Sequence, residues 1–504
     1  MLPSFAIIGG GFGGIDAAIK TRRGNPNARI VVFDEAPGFG GAWQWNRYPG
    51  VACDVPSHLY SLSHELNPDW PDHYSGASDI RAYLQSVAKK HGLDKIARLS
   101  TRVVHLEWLD EMNQWKLTAE EKLNGSRQTV DHFDYVISAN GPLHVPKYPS
   151  IHGLESFEGE VVHTARWKPG FENEIHGKRV AVIGTGASAV QAVPEIEKVV
   201  ETLVVFQRHA AWPVPKEEYK YSKVAKWIFR NIPFAMRLWR FIIFWLLELR
   251  YWIVIRRDSA FSKLQIPGIM KLVTQFIESQ VRDPVKREQL TPDYPFGARR
   301  IPPSNSYLKA LDSDKTTLVS GDPISHITDG NTIVTQSGRQ IQVDAIILAT
   351  GFELLPVNQP FTMVGRKEGG VFPDLSQIRT RTRPRAYMFT TMPQFPNFFM
   401  ILGPNAAFGH MSVLIPVELQ TDYTLRLIRA SRDAGRSRVE VTTRALEEWD
   451  LFVQKGFKGT VWEMDKSSWY YSGKAENFTL WPYSCVYMIW LLSKQPKLMD
   501  YVDC

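Results

Sequence analysis

The fold is decided by "FAIIGGGFGGIDAA", Phe5 to Ala18. Four apolar residues run straight into a glycine turn, and the residues beyond it have helical periodicity, so the stretch reads as a buried strand, a tight turn and a helix. Gly9, Gly11 and Gly14 stand at the spacing in which the first glycine permits the turn, the second lets a pyrophosphate approach the backbone, and the third lets the helix pack closely. The helix N-terminus then offers unpaired N–H groups to phosphate. A second apolar strand, "ARIVVFDE" (28–35), ends on Asp34, about 20 residues beyond Gly14, where a carboxylate accepts ribose hydroxyls. Strand, loop, helix and acid together form a βαβ dinucleotide-binding unit.

The same pattern recurs at "RVAVIGTGASAV" (179–190), where Gly184, Gly186 and Ala189 repeat the spacing before the strand "TLVVFQR" (202–208). That strand ends on Arg208 and His209, where the first unit carries Asp34. A carboxylate would repel a 2′-phosphate, whereas a guanidinium binds it through charge-assisted, bidentate hydrogen bonds. The first site therefore suits FAD. The second, formed by Gly184, Thr185, Gly186, Ala187, Ser188, Ala189, Gln191, Arg208 and His209, suits NADPH.

The expected fold is α/β, with two Rossmann-like dinucleotide-binding domains, one for FAD and one for NADPH, and a helical insertion. Residues 1–145 supply the first part of the FAD-binding domain, 146–350 the NADPH-binding domain with its insert at 216–290, and 351–504 the second part of the FAD-binding domain. "RVVHLEWLDEMNQWKLTAEE" (102–121) alternates around an Asn-containing turn and reads as an antiparallel hairpin carried on the first domain. In the insert, "FAMRLWRFIIFWLLELRYWIVIRR" (234–257) is too interrupted by charge to span a membrane. At a helical period Arg237, Arg240 and Glu248 share one narrow face, giving an amphipathic helix. Two readings stay open for it: a lid packed on the nucleotide domains, or a peripheral membrane contact.

Composition narrows the function. The 504 residues exceed what one core organises, and 44% of them are hydrophobic. The net charge of +7 comes without the dense basic block that nucleic-acid binding needs. Cys53, Cys485 and Cys504 form no Cys-x-x-Cys pair, no disulfide framework and no zinc site, which fits a reducing compartment and disfavours a dithiol reductase. With a strand beginning at Phe5, no secretory segment is expected, and the placement is cytoplasmic.

Between the two loops lies "FEGEVVHTARWK" (157–168). Phe157, Gly159, His163 and Trp167 match the fingerprint of the type I Baeyer-Villiger monooxygenases, within the flavin-containing monooxygenase group, which the chain resembles over essentially its whole length. Lys168 stands where the family has Pro or Asp. "GGAWQWNRYPGVACDVPSHLY" (40–60) is similar to the family's flavin segment, which implies FAD contacts for Ala42, Trp43, Gln44, Trp45, Asp54 and Tyr60. By the same resemblance the backbone of Val103 touches the adenine, and Ser412 and Val413 in "GHMSVL" reach the flavin ring. "YPFGARRIPPSNSY" (294–307) resembles the stretch ending in a basic pair: Arg299 would join Arg208 on the 2′-phosphate, and Arg300 would be the active-site arginine. Trp469, in "SSWYYSGKAENFTLWP" (467–482), matches a tryptophan that packs towards the nicotinamide cofactor.

The resemblance implies that NADPH reduces FAD, that O₂ adds to give a C4a-peroxyflavin, and that a ketone is converted to an ester or lactone. Arg300 would hold the developing negative charge, because a guanidinium stays protonated, and Asp54 would orient it. His163 and Trp167, four residues apart and so on one side of a helical turn, would set how the two domains swing. An N- or S-oxygenating flavin monooxygenase, whose fingerprint is similar, is the alternative enzyme. A non-catalytic FAD- and NADPH-binding redox sensor is the alternative from another class.

Overall fold

Ser4–Ile8 is enclosed on every side and forms β1, the centre of a parallel sheet, which is why its sequence is continuously apolar rather than alternating. The computed structural model describes residues 2–122, 127–328, 330–353, 360–367, 383–471 and 476–502. Cys504 lies outside them.

In the first sheet β1 pairs with β2 (Arg29–Phe33) on one side and β7 (Tyr135–Ser138) on the other, with β3 (Ala97–Arg98) beyond β2 and β17 (Phe398–Met400) beyond β7. The C-terminal third of the chain thus completes the sheet that the N-terminus begins. The second parallel sheet has the order β11-β10-β9-β15-β8, from Thr316–Ser320, Thr202–Gln207, Arg179–Ile183, Ala345–Leu348 and Glu160–His163. Both are parallel sheets of the kind expected for two Rossmann-like domains.

The expected hairpin is β4 (Thr101–Leu109) and β5 (Gln114–Glu121), antiparallel, with a shift of register between Val103 and His105. Two of its neighbours carry no clear sequence signal: β6 (Arg127–Phe133), antiparallel to β5, and β16 (Thr362–Val364), parallel to β4. A further small antiparallel sheet joins β12 (Ile324–Thr328), β13 (Thr332–Thr335) and β14 (Gln340–Gln342).

The two helices that leave the glycine loops are α1 (Phe12–Gly24) and α2 (Ala187–Val199). The insert is helical: α3 (Lys223–Asn231), α4 (Ala235–Arg250), a π-helical turn at Tyr251–Ile255, and α5 (Ala260–Gln280). Periodicity groups Arg237, Arg240 and Glu248 on one face, but only Arg237 points to solvent. Arg240 is drawn inward by the carbonyls of His58 and Ser61, and Glu248 is 2% exposed. The charged face of α4 is therefore largely its inner face. Near the C-terminus come α6 (Leu414–Asp433), packed on α1, and α7 (Cys485–Ser493). Among the described residues no helix is long and apolar enough to cross a membrane.

Close packing fixes the first loop. Gly9 has a φ of +114°, and a Cβ on Gly14 would stand 1.7 Å from the Gly9 carbonyl oxygen. In a helix an alanine normally outperforms glycine by about 1 kcal/mol. Gly14→Ala should reverse that sign and lower the melting temperature, whereas Gly268→Ala in α5, where nothing lies within 4 Å of the added carbon, should raise it. Thermal unfolding of the two variants checks both signs.

Candidate functional site

Asp54 and Arg300 meet fork to fork: the Arg300 Nε and Nη2 groups donate to the two carboxylate oxygens. Burial works against charge on both, yet each partner overrides it for the other. Asp54 is held below its usual range by Arg300, and Arg300 is raised above its usual range by Asp54. The arginine is thus a permanent, oriented cation. Tyr470, from the closing segment, packs against the pair; burial pushes its phenol up to about 12, with Arg300 pulling the other way. Arg250, at the C-terminus of α4 and exposed at the surface, interacts electrostatically with Tyr74, Glu217, Asp54 and Arg300. Neither Tyr470 nor Arg250 is signalled by spacing, since only tertiary contact brings them in.

The first loop suits a dinucleotide. No side chain caps α1 at Gly11, so its first-turn N–H groups are left to an anion. Asp34 accepts hydrogen bonds from the Gly10 and Ala36 N–H groups, bracing the loop. Val103 lies just beyond Thr101, whose N–H donates to the Asp34 carbonyl at 2.8 Å. In the flavin segment a helical turn spans Ala42–Trp45. The Trp43 indole N–H donates to the Tyr60 hydroxyl at 3.2 Å, and the Gln44 Oε1 is buried without a donor, as a group awaiting a ligand would be. Ser412 is fully buried, its hydroxyl turned to the Leu59 carbonyl, and Val413 stands at the N-terminus of α6.

In the second loop α2 likewise starts uncapped at Gly186, and nothing lies within 4 Å of where a Gly186 Cβ would be. That space fits a phosphate. The Thr185 hydroxyl donates to the His209 carbonyl at 2.7 Å, tying the loop to the end of β10. Arg208 is exposed there and has no hydrogen-bond or ion-pair partner among the described residues. Burial lowers the His209 imidazole, and the positive fields of Arg299 and Arg208 add to this. Arg299 is held by Asp465 at 3.3 Å and Ser467 at 2.9 Å, and lies 4.1 Å over the Tyr294 ring. Trp469 is half exposed and packs on Tyr470 with ring centroids 4.4 Å apart.

Gln191 lies where the second loop's helix meets the flavin segment. Its amide oxygen accepts from Tyr48 at 2.9 Å, and its nitrogen donates to the Ala52 carbonyl at 2.8 Å, so it clasps α2 to the flavin segment. The fingerprint also departs from its expected geometry. His163 ends β8 and caps a 3-10 turn at Thr164–Arg166, its Nδ1 accepting from the Ala165 N–H at 3.0 Å. No helical turn puts His163 and Trp167 on one side: His163 packs with Tyr148 and Phe352, while Trp167 packs on Phe171 and donates to Glu172. The strand geometry of β8 overrides the spacing. Burial pushes the His163 imidazole down to about 4, so it is neutral at physiological pH. Phe157 belongs to the core of the second sheet, and a Cβ on Gly159 would stand 2.3 Å from the Asp344 carbonyl oxygen. The residue that links the fingerprint to the first unit is Arg166, which donates to the His144 carbonyl at 3.1 Å and lies 4.8 Å over the Trp45 ring.

Residues 4–248 match the family described as flavin-binding monooxygenase-like. A Baeyer-Villiger monooxygenase of Pseudomonas aeruginosa is 36% identical over 482 residues, 95% of this chain and 87% of that protein. One of Streptomyces coelicolor is 35% identical over 481 residues, 95% of this chain and 88% of that protein. Among solved structures, the chain is similar to an oxidised steroid monooxygenase bound to NADP, 27% identical with a TM-score of 0.81, the match covering 97% of each chain. It is also similar to a cyclohexanone monooxygenase from Rhodococcus sp. Phi1 bound to NADP+, 26% identical with a TM-score of 0.82, over 98% of this chain and 97% of that one.

Burial pushes the Asp34 carboxyl up to about 6, against the hydrogen bonds from Ala36 and Gly10. A carboxyl raised by folding favours the folded chain while protonated; that contribution is full below about pH 4 and is lost as the pH rises through about 6. In the apoprotein, wild type should therefore lose melting temperature relative to Asp34→Asn between these two pH values and level off above them. A difference that stays constant across the range would contradict the shift.

Proposed function

Since the chain belongs to the Baeyer-Villiger monooxygenases of the flavin-binding monooxygenase-like family, we propose that it uses FAD, NADPH and O₂ to insert one oxygen next to a ketone carbonyl, giving an ester or lactone. The observation that carries this reading is the Asp54–Arg300 pair: a fixed, oriented cation between the flavin segment and the second nucleotide unit. Bound FAD, once reduced by NADPH, would activate O₂, one atom of which enters the product while the other leaves as water.

The remaining roles belong to the chain's own residues. The α1 N-terminus, Gly9, Gly11, Gly14, Asp34 and Val103 hold the adenine dinucleotide of FAD. Ala42, Trp43, Gln44, Trp45, Tyr60, Ser412 and Val413 bound the flavin ring. Thr185, Ala187, Ser188 and Ala189 with the two loop glycines cradle the pyrophosphate of NADPH, and Arg208, His209 and Arg299 receive its 2′-phosphate. Trp469 covers the nicotinamide side. Arg300 stabilises negative charge on the reacting oxygen without exchanging its proton, and Asp54 keeps the guanidinium in one orientation. We divide the chain as 1–145 and 351–504 for FAD and 146–350 for NADPH, which agrees with β17 lying in the sheet of β1. The same reading keeps the enzyme in the cytoplasm, with the 216–290 insert as its contact with a membrane surface.

The heteroatom-oxygenating alternative draws on Lys168. Its ammonium is exposed and pairs with Glu160 at the surface.

With NADPH and O₂, a panel of cyclic, aromatic and long-chain ketones should yield esters or lactones heavier by one oxygen. Arg300→Ala should keep its yellow FAD and still oxidise NADPH while ester formation falls about 100- to 1000-fold. Oxygenation of an amine or thioether with every ketone left unchanged would refute the reading.

A further inference from the structure

Helix α4 is built inside out. Arg240 donates to the carbonyls of His58 and Ser61 and to the Ser61 hydroxyl, while Glu248 accepts from the N–H groups of Cys485 and Val486 at the N-terminus of α7, each at 3.2 Å, and faces His410. With both charges committed inward, the outer side carries large apolar groups. Leu238 is 59% exposed, Phe241 58%, Trp245 42%, Leu246 59% and Leu249 45%. On the helices next in the chain, Trp227 of α3, which packs on α4, and Leu264 of α5, which packs on the π-helical turn, are 57% and 73% exposed. Isolated exposed apolar residues need no explanation, but a contiguous set on packed helices marks an interaction surface.

The charge around this face selects the partner. Between residues 220 and 272 the chain carries eleven Lys and Arg against two acids, Glu248 and Asp258. Lys220, Lys223, Arg237, Lys263 and Lys271 are exposed, and the side chain of none has a hydrogen-bond or ion-pair partner among the described residues. Free cations beside Trp, Phe and Leu side chains form the pattern of a helix lying in the headgroup layer, with tryptophan at the interface and lysine on anionic lipid. A second copy of the chain would bring the same cations against themselves, which disfavours self-association here.

We propose that the outer face of α3, α4 and α5 seats in the headgroup layer of an anionic bilayer. This deepens the membrane contact of the reading above and rests on it, but its test needs no turnover. The holoenzyme is mixed with vesicles of phosphatidylcholine alone or with phosphatidylglycerol added, and bound protein is measured by sedimentation.

Binding is expected to be at least about tenfold stronger with the anionic lipid and to weaken as salt is raised. Phe241→Glu with Trp245→Glu should remove the binding while FAD absorbance, melting temperature and turnover of a water-soluble ketone stay unchanged. Equal binding to both vesicles would overturn the anionic assignment while leaving a membrane contact. The absence of vesicle binding would overturn both, as would a dimer in light scattering that the double variant disperses without vesicles having bound the parent. Vesicle binding with no oxygenation of any ketone would support the lipid face and sink the monooxygenase reading alone.

Discussion

One ion pair organises the site. Asp54 comes from the segment after the first βαβ unit, Arg300 from the loop after the helical insert, and each orients the other's side chain. Two charges removed from much of the solvent are tolerable only in good mutual geometry, and the fork-to-fork arrangement supplies it. The rest of the architecture holds the two segments in register. Gln191 clasps α2 to Tyr48 and Ala52, Arg166 lies over Trp45, and Asp465 and Ser467 hold Arg299 beside its neighbour. Each of these ties crosses between the two nucleotide units, so each helps fix the distance over which a cation serves a reaction.

The insert has a second structural part. By accepting two backbone N–H groups of α7, Glu248 acts as a cap supplied from a distant helix, and it joins α4 to the C-terminal part of the chain. The same helix ends at Arg250, whose charge is felt by Asp54 and Arg300.

Sequence reveals most where sterics and charge act locally. The first glycine loop is legible because sterics demand it: a Cβ at Gly14 would stand 1.7 Å from the Gly9 carbonyl oxygen. The exchange of Asp34 for Arg208 between the two units is legible as charge logic. The inward orientation of α4 is not, because periodicity identifies a charged face without saying which side the protein covers. The His58 and Ser61 carbonyls and the α7 N-terminus decide that, and they come from other parts of the chain. Spacing also misplaces His163 and Trp167, since a four-residue interval means one side only in a helix, and here a strand end intervenes. The edge strand β6 is hard to recognise because "RQTVDHF" is too polar and partly exposed to show a buried face. Gln191 resembles a ligand contact from its place in the loop, and only the fold shows its amide engaged between the units.

The central claim is that Arg300 acts through its pairing with Asp54. The most direct test is a double-mutant cycle on these two residues, read in kcat/KM for ester formation from a ketone. If the account holds, removing Asp54 from a chain already lacking Arg300 costs almost nothing further, giving a coupling of about 2 kcal/mol or more. If the two losses simply multiply, the residues act independently and the account fails.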